Sequence, residues 1–195
     1  MDTLKLYFAI GISLLILFGA FRFYKDRVAL RDDSTLTDNK PYSLARVQLL
    51  WWTLVIVISF TLVYGLTGVI WPMNSTCLTL LGISLFTTTS GKLIDNAHIA
   101  DVSITRHQDI YPSQGLITDI LSDEYGLSVH RYQAVILNLV YGGYFLIEVF
   151  SKLNLGHFPE FDPPTLALLG VSSSAYLGLK MAEGKGNAPN EASKP

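Results

Sequence analysis

The chain has 195 residues, the length of one domain. Half of them are hydrophobic and only 15% are charged, against about a quarter in soluble domains. A net charge of -2, with no basic face carrying interleaved aromatics, argues against a nucleic-acid partner, and a single cysteine, Cys77, excludes an intrachain disulfide.

The apolar residues are gathered into runs, and the charges sit between them. A bilayer core of about 30 Å takes roughly 17–25 apolar residues as a helix. Five runs meet that test: Leu6–Phe23, Val47–Leu66, Cys77–Leu93, Tyr132–Phe150 and Thr165–Met181. In hydrocarbon each backbone group must find an internal partner, so each run is expected to be helical. The predicted class is an all-α integral membrane bundle of five transmembrane helices.

The first run, in residues 1–24, reads as a retained anchor rather than a signal peptide. No small-x-small cleavage site follows it, and the basic "RFYKDR" behaves as a stop-transfer flank. With the N-terminus outside, twelve lysines and arginines face the cytoplasm and only Lys5 and Lys152 face out. The orientation is therefore N-out/C-in. Residues 25–46 become a cytoplasmic linker, and Trp71 and Phe158 fall near the outer interface. "NST" at Asn74–Thr76 matches a glycosylation acceptor but is too short to carry weight.

The second and fourth spans open alike, "SLARVQ" at Ser43–Gln48 and "SVHRYQ" at Ser128–Gln133, offset by 85 residues. The third and fifth align at offset 88. "LLGIS" at Leu80–Ser84 precedes Lys92 and Asp95, and "LLGVS" at Leu168–Ser172 precedes Lys180 and Glu183. Each outer loop carries an aromatic–proline pair, Trp71-Pro72 and Phe158-Pro159. The hairpins 47–95 and 132–183 thus read as a tandem parallel repeat, related by a pseudo-twofold axis along the membrane normal.

Both units begin and end in the cytoplasm. Arg46 and Arg131 enter the membrane where Asp95 and Glu183 leave it, with Lys92 and Lys180 close by. Two uses are open: ion pairs between these arginines and acids, or snorkelling to lipid phosphates. Gln48 and Gln133 lie deeper and are expected to bond another helix. The third span carries Gly82, Ser84 and Thr88. The fifth carries Ser173 and, four apart on one face, Gly170, Ser174 and Gly178. Small residues on one face let helix backbones approach closely; the alternative is that the hydroxyls line a water-filled path.

Glu148 is an intramembrane acid near the outer end of the fourth span. Lys152 stands four residues on, so a local pair competes with an ion site. Asn138 is deeper and is expected to bond a neighbouring helix, and "YGGY" at Tyr141–Tyr144 to admit a close neighbour. In the loop 96–131, Asp119–Gly126 after "PSQGLI" reads as a short amphipathic helix on the membrane surface, with Leu116, Ile117, Ile120 and Leu121 as its apolar face. Asp119, Asp123 and Glu124 lack the spacing of an EF-hand. His98, His107, His130 and His157 show no metal-ligand spacing. No nucleophile, base or cofactor motif converges, so the chain reads as neither enzyme nor cofactor binder. The tail 184–195 is polar and is expected to be disordered.

"YSLARVQLLWW", "LTLLGIS", "GLITDILSDEYGLSVHRYQ" and "PPTLALLGVSSSAYLGLK" together resemble a family of small multi-pass bacterial inner-membrane proteins without assigned activity. The resemblance covers Pro41–Glu183 and implies a bacterial inner-membrane setting. Two functions suit these features. One is a homo-oligomer enclosing an ion-conducting pore lined by the small and polar faces of the third and fifth spans, since one protomer has too few helices for a wide channel. The other is a non-catalytic accessory subunit that docks a cytoplasmic protein partner. The lipid bilayer is a partner in both.

Overall fold

Helices form where the apolar runs are, because a backbone in hydrocarbon can satisfy its N–H and C=O groups only by bonding to itself. A computed structural model of the chain describes residues 3–26, 28–34, 38–101, 104, 106–123 and 125–183. The tail 184–195, Arg27 of the basic flank and Glu124 lie outside the described residues. In chain order the elements are α1 (Thr3–Lys25), α2 (Leu44–Thr67), α3 (Ser75–Ala100), α4 (His107–Ile110), α5 (Leu116–Leu121), β1 (Ser122–Asp123), β2 (Gly126–Leu127), α6 (Val129–Ser151) and α7 (Pro163–Ala182). Four helices, α1, α2, α3 and α6, are long and apolar enough to cross a membrane, which marks a membrane protein. α3 runs to Ala100, past the apolar run that ends at Leu93, and so carries Asp95 and His98 on its last turns.

α2 lies against α3 and α6, and α7 lies against the same two helices. The four close a ring in the order α2, α3, α7, α6, and α1 packs onto α2. Lipid tails are as apolar as leucine, so helices in a bilayer are held by close packing and hydrogen bonds rather than by expulsion of water. Two glycines show this. A Cβ at Gly65 of α2 would collide with the Ala9 methyl of α1. A Cβ at Gly142 of α6 would lie 2.6 Å from Nε1 of Trp51, so only glycine lets that indole lie flat on the helix. This is the close neighbour expected at "YGGY".

The loops at one end of the ring are pinned to each other. Asn74 caps α3 by accepting the Cys77 N–H, and its own amide donates to the carbonyls of Phe158 and Pro159. Thr76 Oγ1 accepts the Phe161 N–H at 2.9 Å. Phe158 meets Trp71 edge-on at 5.4 Å and stacks on Phe145 at 6.2 Å. The two aromatic–proline pairs therefore meet, and Trp71 and Phe158 are buried against each other. At the other end the helix expected across Asp119–Gly126 stops at Leu121. Asp123 Oδ1 accepts the Tyr125 N–H and Gly126 takes φ 109°, which turns the chain into the β1–β2 hairpin. Ile120 is buried, while Ile117 remains exposed.

Candidate functional site

The charged ends of α3 and α7 meet at the end of the ring away from the aromatic loops. Lys180 Nζ donates to Asp95 Oδ2 at 2.9 Å and to Asp32 Oδ2 at 3.3 Å. Asp95 Oδ1 accepts from Gln108 Nε2 at 2.7 Å and lies 3.8 Å from Arg106 Nη1. Arg106 in turn holds Asp109 through both carboxylate oxygens, at 2.6 and 2.7 Å. The Asp95, Lys180 and Arg106 side chains are each 3% exposed or less. A charge so deeply buried is tolerable only when paired and hydrogen-bonded, and removing one partner leaves the other stranded. Outside the helices, burial alone would push the Asp32 carboxyl up. The Lys180 ammonium, the Ser43 hydroxyl and the Arg131 guanidinium outweigh it and hold the group below the ordinary carboxylate range.

The linkers fold over this cluster as a small platform. The Asp119 carboxylate accepts the Tyr42 N–H, the Ser113 hydroxyl and the Gln114 N–H, at 3.0, 2.6 and 2.9 Å. The Ser113 N–H donates to the Asn39 carbonyl, and the Ser43 N–H to the Leu30 carbonyl. Asp119 is thus a structural clasp between segments 77 residues apart. Among the described residues, no group of three or more His, Cys, Asp or Glu could hold a metal ion.

The residues singled out from the sequence divide between this cluster and other places. Arg46 pairs with Asp33 at 3.5 Å and donates to the Val28 carbonyl, so Asp95 is held by Lys180 and Arg106 instead. Arg131 lies over the Tyr176 ring at 5.3 Å. Glu183 is buried and borders the same cavity as Arg131, and Lys92 is exposed. Gln48 donates to Ser173 Oγ at 3.2 Å across the ring, whereas Gln133 is exposed. Ser84 and Thr88 bond back to carbonyls one turn earlier, and Thr88 also reaches the Ala45 carbonyl of α2. Gly82, Ser174 and Gly178 face outward, and Gly170 meets only the tip of Ile83. Trp52 Nε1 donates to Asn138 Oδ1 at 2.6 Å and Trp51 Nε1 to the Asn138 carbonyl, so Asn138 bonds its neighbour as expected. Glu148 pairs locally with Lys152. Asp32, Arg106 and Gln108 were not anticipated. "RHQD" at Arg106–Asp109 held the one readable cue, an arginine and an acid three apart.

One geometric fact links these placements. Counting back 85 residues from the buried α6 positions Ala134, Asn138, Gly142, Phe145 and Val149 lands on Leu49, Thr53, Val57, Phe60 and Tyr64. α2 buries Gln48, Trp52, Ile56, Ser59 and Val63, one residue earlier each time, along with Leu44, Ala45, Val55 and Gly65. Counting back 88 from Leu169, Ser173, Tyr176 and Lys180 gives Leu81, Leu85, Thr88 and Lys92, while α3 buries Leu80, Ser84, Thr87 and Gly91. One residue is about 100° of helix. The similar phrases therefore turn different faces inward over most of their length, and this brings Lys180 inside while Lys92 stays out, although the closing acids Asp95 and Glu183 are both buried. Comparison with protein-family models, with curated proteins and with solved structures finds no match to this chain.

Proposed function

We propose that this is a non-catalytic, five-span accessory protein of a bacterial inner membrane, oriented N-out/C-in. Its cytoplasmic platform docks a protein partner. One observation carries the reading: two linkers distant in sequence are clasped by Asp119 and roofed over a buried ion network, which makes a rigid surface rather than a pair of loose loops. That surface leaves Ile110, Tyr111 and Ile117 exposed beside charge, the composition of a contact patch. The twelve-to-two bias of basic residues favours a cytoplasmic side for it. The core spans are read as a tandem parallel repeat of hairpins, with α7 as the fifth span.

The test is site-specific photocrosslinking in cells at Tyr111 and Ile117, with Val69 at the aromatic end as control. The expected result is one discrete heterologous adduct from the platform positions, lost when Asp119→Ala loosens the clasp. Adducts only with lipid or with other copies of the chain would overturn it.

A homo-oligomeric pore is the second reading. It is favoured by an open groove of about 550 Å³ between α3 and α7, bordered by Thr79, Gly82, Gly170 and Ser174, where another copy has room to pack. Within one protomer the hydroxyls of Ser84, Thr87, Thr88 and Ser174 are spent on helix carbonyls. Ion flux from liposomes, blocked by Ser174→Leu, would support the pore; a stable oligomer without flux would remove it.

A further inference from the structure

A cavity of about 420 Å³ opens between the first turn of α6 and the last turns of α7, bordered by the β1–β2 hairpin. It contains a second cation, Arg131, which acts on Asp32 of the ion network through its charge. Arg131 is 9% exposed and its Nε has no hydrogen-bond partner. Its guanidinium lies over the Tyr176 ring, and the Tyr176 hydroxyl, on a residue 3% exposed, also has no partner. A buried guanidinium N–H with no acceptor and a buried phenol with nothing to bond are each costly. Two such groups on one cavity mark a place where something else supplies the acceptors. Lys180, on the same wall, already has its two carboxylates.

We propose that this cavity binds a phosphate-bearing anion, with one oxygen pair on the free edge of Arg131 and another oxygen on the Tyr176 hydroxyl. Stacking on the ring occupies a face of the guanidinium and leaves its N–H edge free, which suits the fork of a phosphate. The first turn of α6 adds to the attraction. Ser128 makes no side-chain cap to it and instead bonds the His130 ring, and the first-turn residues His130 and Arg131 line the cavity, so the positive end of a 23-residue helix lies beside the site. Asp123 and Glu183 also border the cavity, and their charge opposes an anion. Leu179 lines the cavity and is exposed, and Leu127, Val129 and Tyr132, close in sequence to the lining residues His130 and Arg131, are exposed as well, apolar surface suited to a lipid chain. The donors fit the phosphate of an anionic lipid and free phosphate alike. The inference does not rest on the docking reading.

The test uses the full chain in dodecyl maltoside, which contains no phosphate. Native mass spectrometry follows binding of phosphatidylglycerol, of a diacylglycerol with the same chains, and of inorganic phosphate. The expected result is one phosphatidylglycerol per protomer and no retained diacylglycerol. Tyr176→Phe, which keeps the ring and the fold, should weaken binding about tenfold or more, in line with one charge-assisted hydrogen bond. Arg131→Gln should abolish it, and Asp123→Asn should tighten it. Inorganic phosphate that competes at millimolar concentration identifies the free ion as sufficient; failure to compete identifies the lipid. Equal retention of diacylglycerol, binding unchanged in Tyr176→Phe, or no binding of either phosphate probe would overturn the proposal.

Discussion

The two hairpins end on the same words and use them differently. In α3 the acid of the phrase, Asp95, points inward and Lys92 points away; in α7 the lysine, Lys180, points inward and reaches that acid. Both closing acids, Asp95 and Glu183, are buried, but of the two lysines only Lys180 is, because α7 is turned by about one residue relative to α3. Matching sequence therefore does not imply matching contacts. Here the mismatch joins the hairpins, because it puts one lysine, Lys180, against the acid of the other hairpin, whereas two inward lysines would repel each other.

The largest effect expected from this difference is at the lysines. Lys180→Met removes the ammonium shared by Asp95 and Asp32 and should cost about 3–5 kcal/mol, the range for breaking a buried ion pair. Lys92→Met should stay within about 0.5 kcal/mol, as for other exposed positions. Reversible unfolding in mixed micelles measures both. Equal losses would break the comparison.

Adjacent glycines sharpen it next. Gly142→Ala drives a methyl into the Trp51 indole and should cost about 1–3 kcal/mol by overpacking. Gly143→Ala meets nothing within 4 Å and should be neutral or gain up to about 1 kcal/mol from helix propensity. The same unfolding assay applies, with Trp51 fluorescence as a local reporter.

The glutamines give a smaller contrast. Gln48→Leu loses the bond to Ser173 and should cost about 0.6 kcal/mol, the average for a polar contact between membrane helices. Gln133→Leu, on an exposed face, should cost nothing measurable.

Acid provides a further check. The Asp32 carboxyl is held below its ordinary value of 3.8, so it binds its proton less readily folded than unfolded. Its contribution is fully present above the unfolded value and is lost as pH falls through the folded one. Stability from this group should be flat from pH 7 to pH 5 and decline only in strong acid. Asp32→Asn should flatten that acid limb.

Much of this was readable in advance. Hydropathy alone marked α1, α2, α3 and α6, because length and the absence of charge are what the bilayer demands. Asn138 and Glu148 were readable as well, since a polar group in hydrocarbon needs a partner within reach. The inward face of each helix was hidden, because a span that is apolar all round shows no preferred side. Asp32 and Arg106 were hidden for another reason. They sit in linkers with no periodicity, and only the folded platform brings them over α3 and α7. The β1–β2 turn is hidden because the short apolar stretch before it fits a helix and the stop depends on Asp123 and Gly126.

A double-mutant cycle addresses the cross-hairpin contact most directly. Asp95→Asn and Lys180→Met, alone and together, should show a coupling of about 0.5–3 kcal/mol, while Asp95→Asn with Lys92→Met should be additive. Coupling to Lys92, the local neighbour three residues away, with none to Lys180, would contradict the arrangement described here.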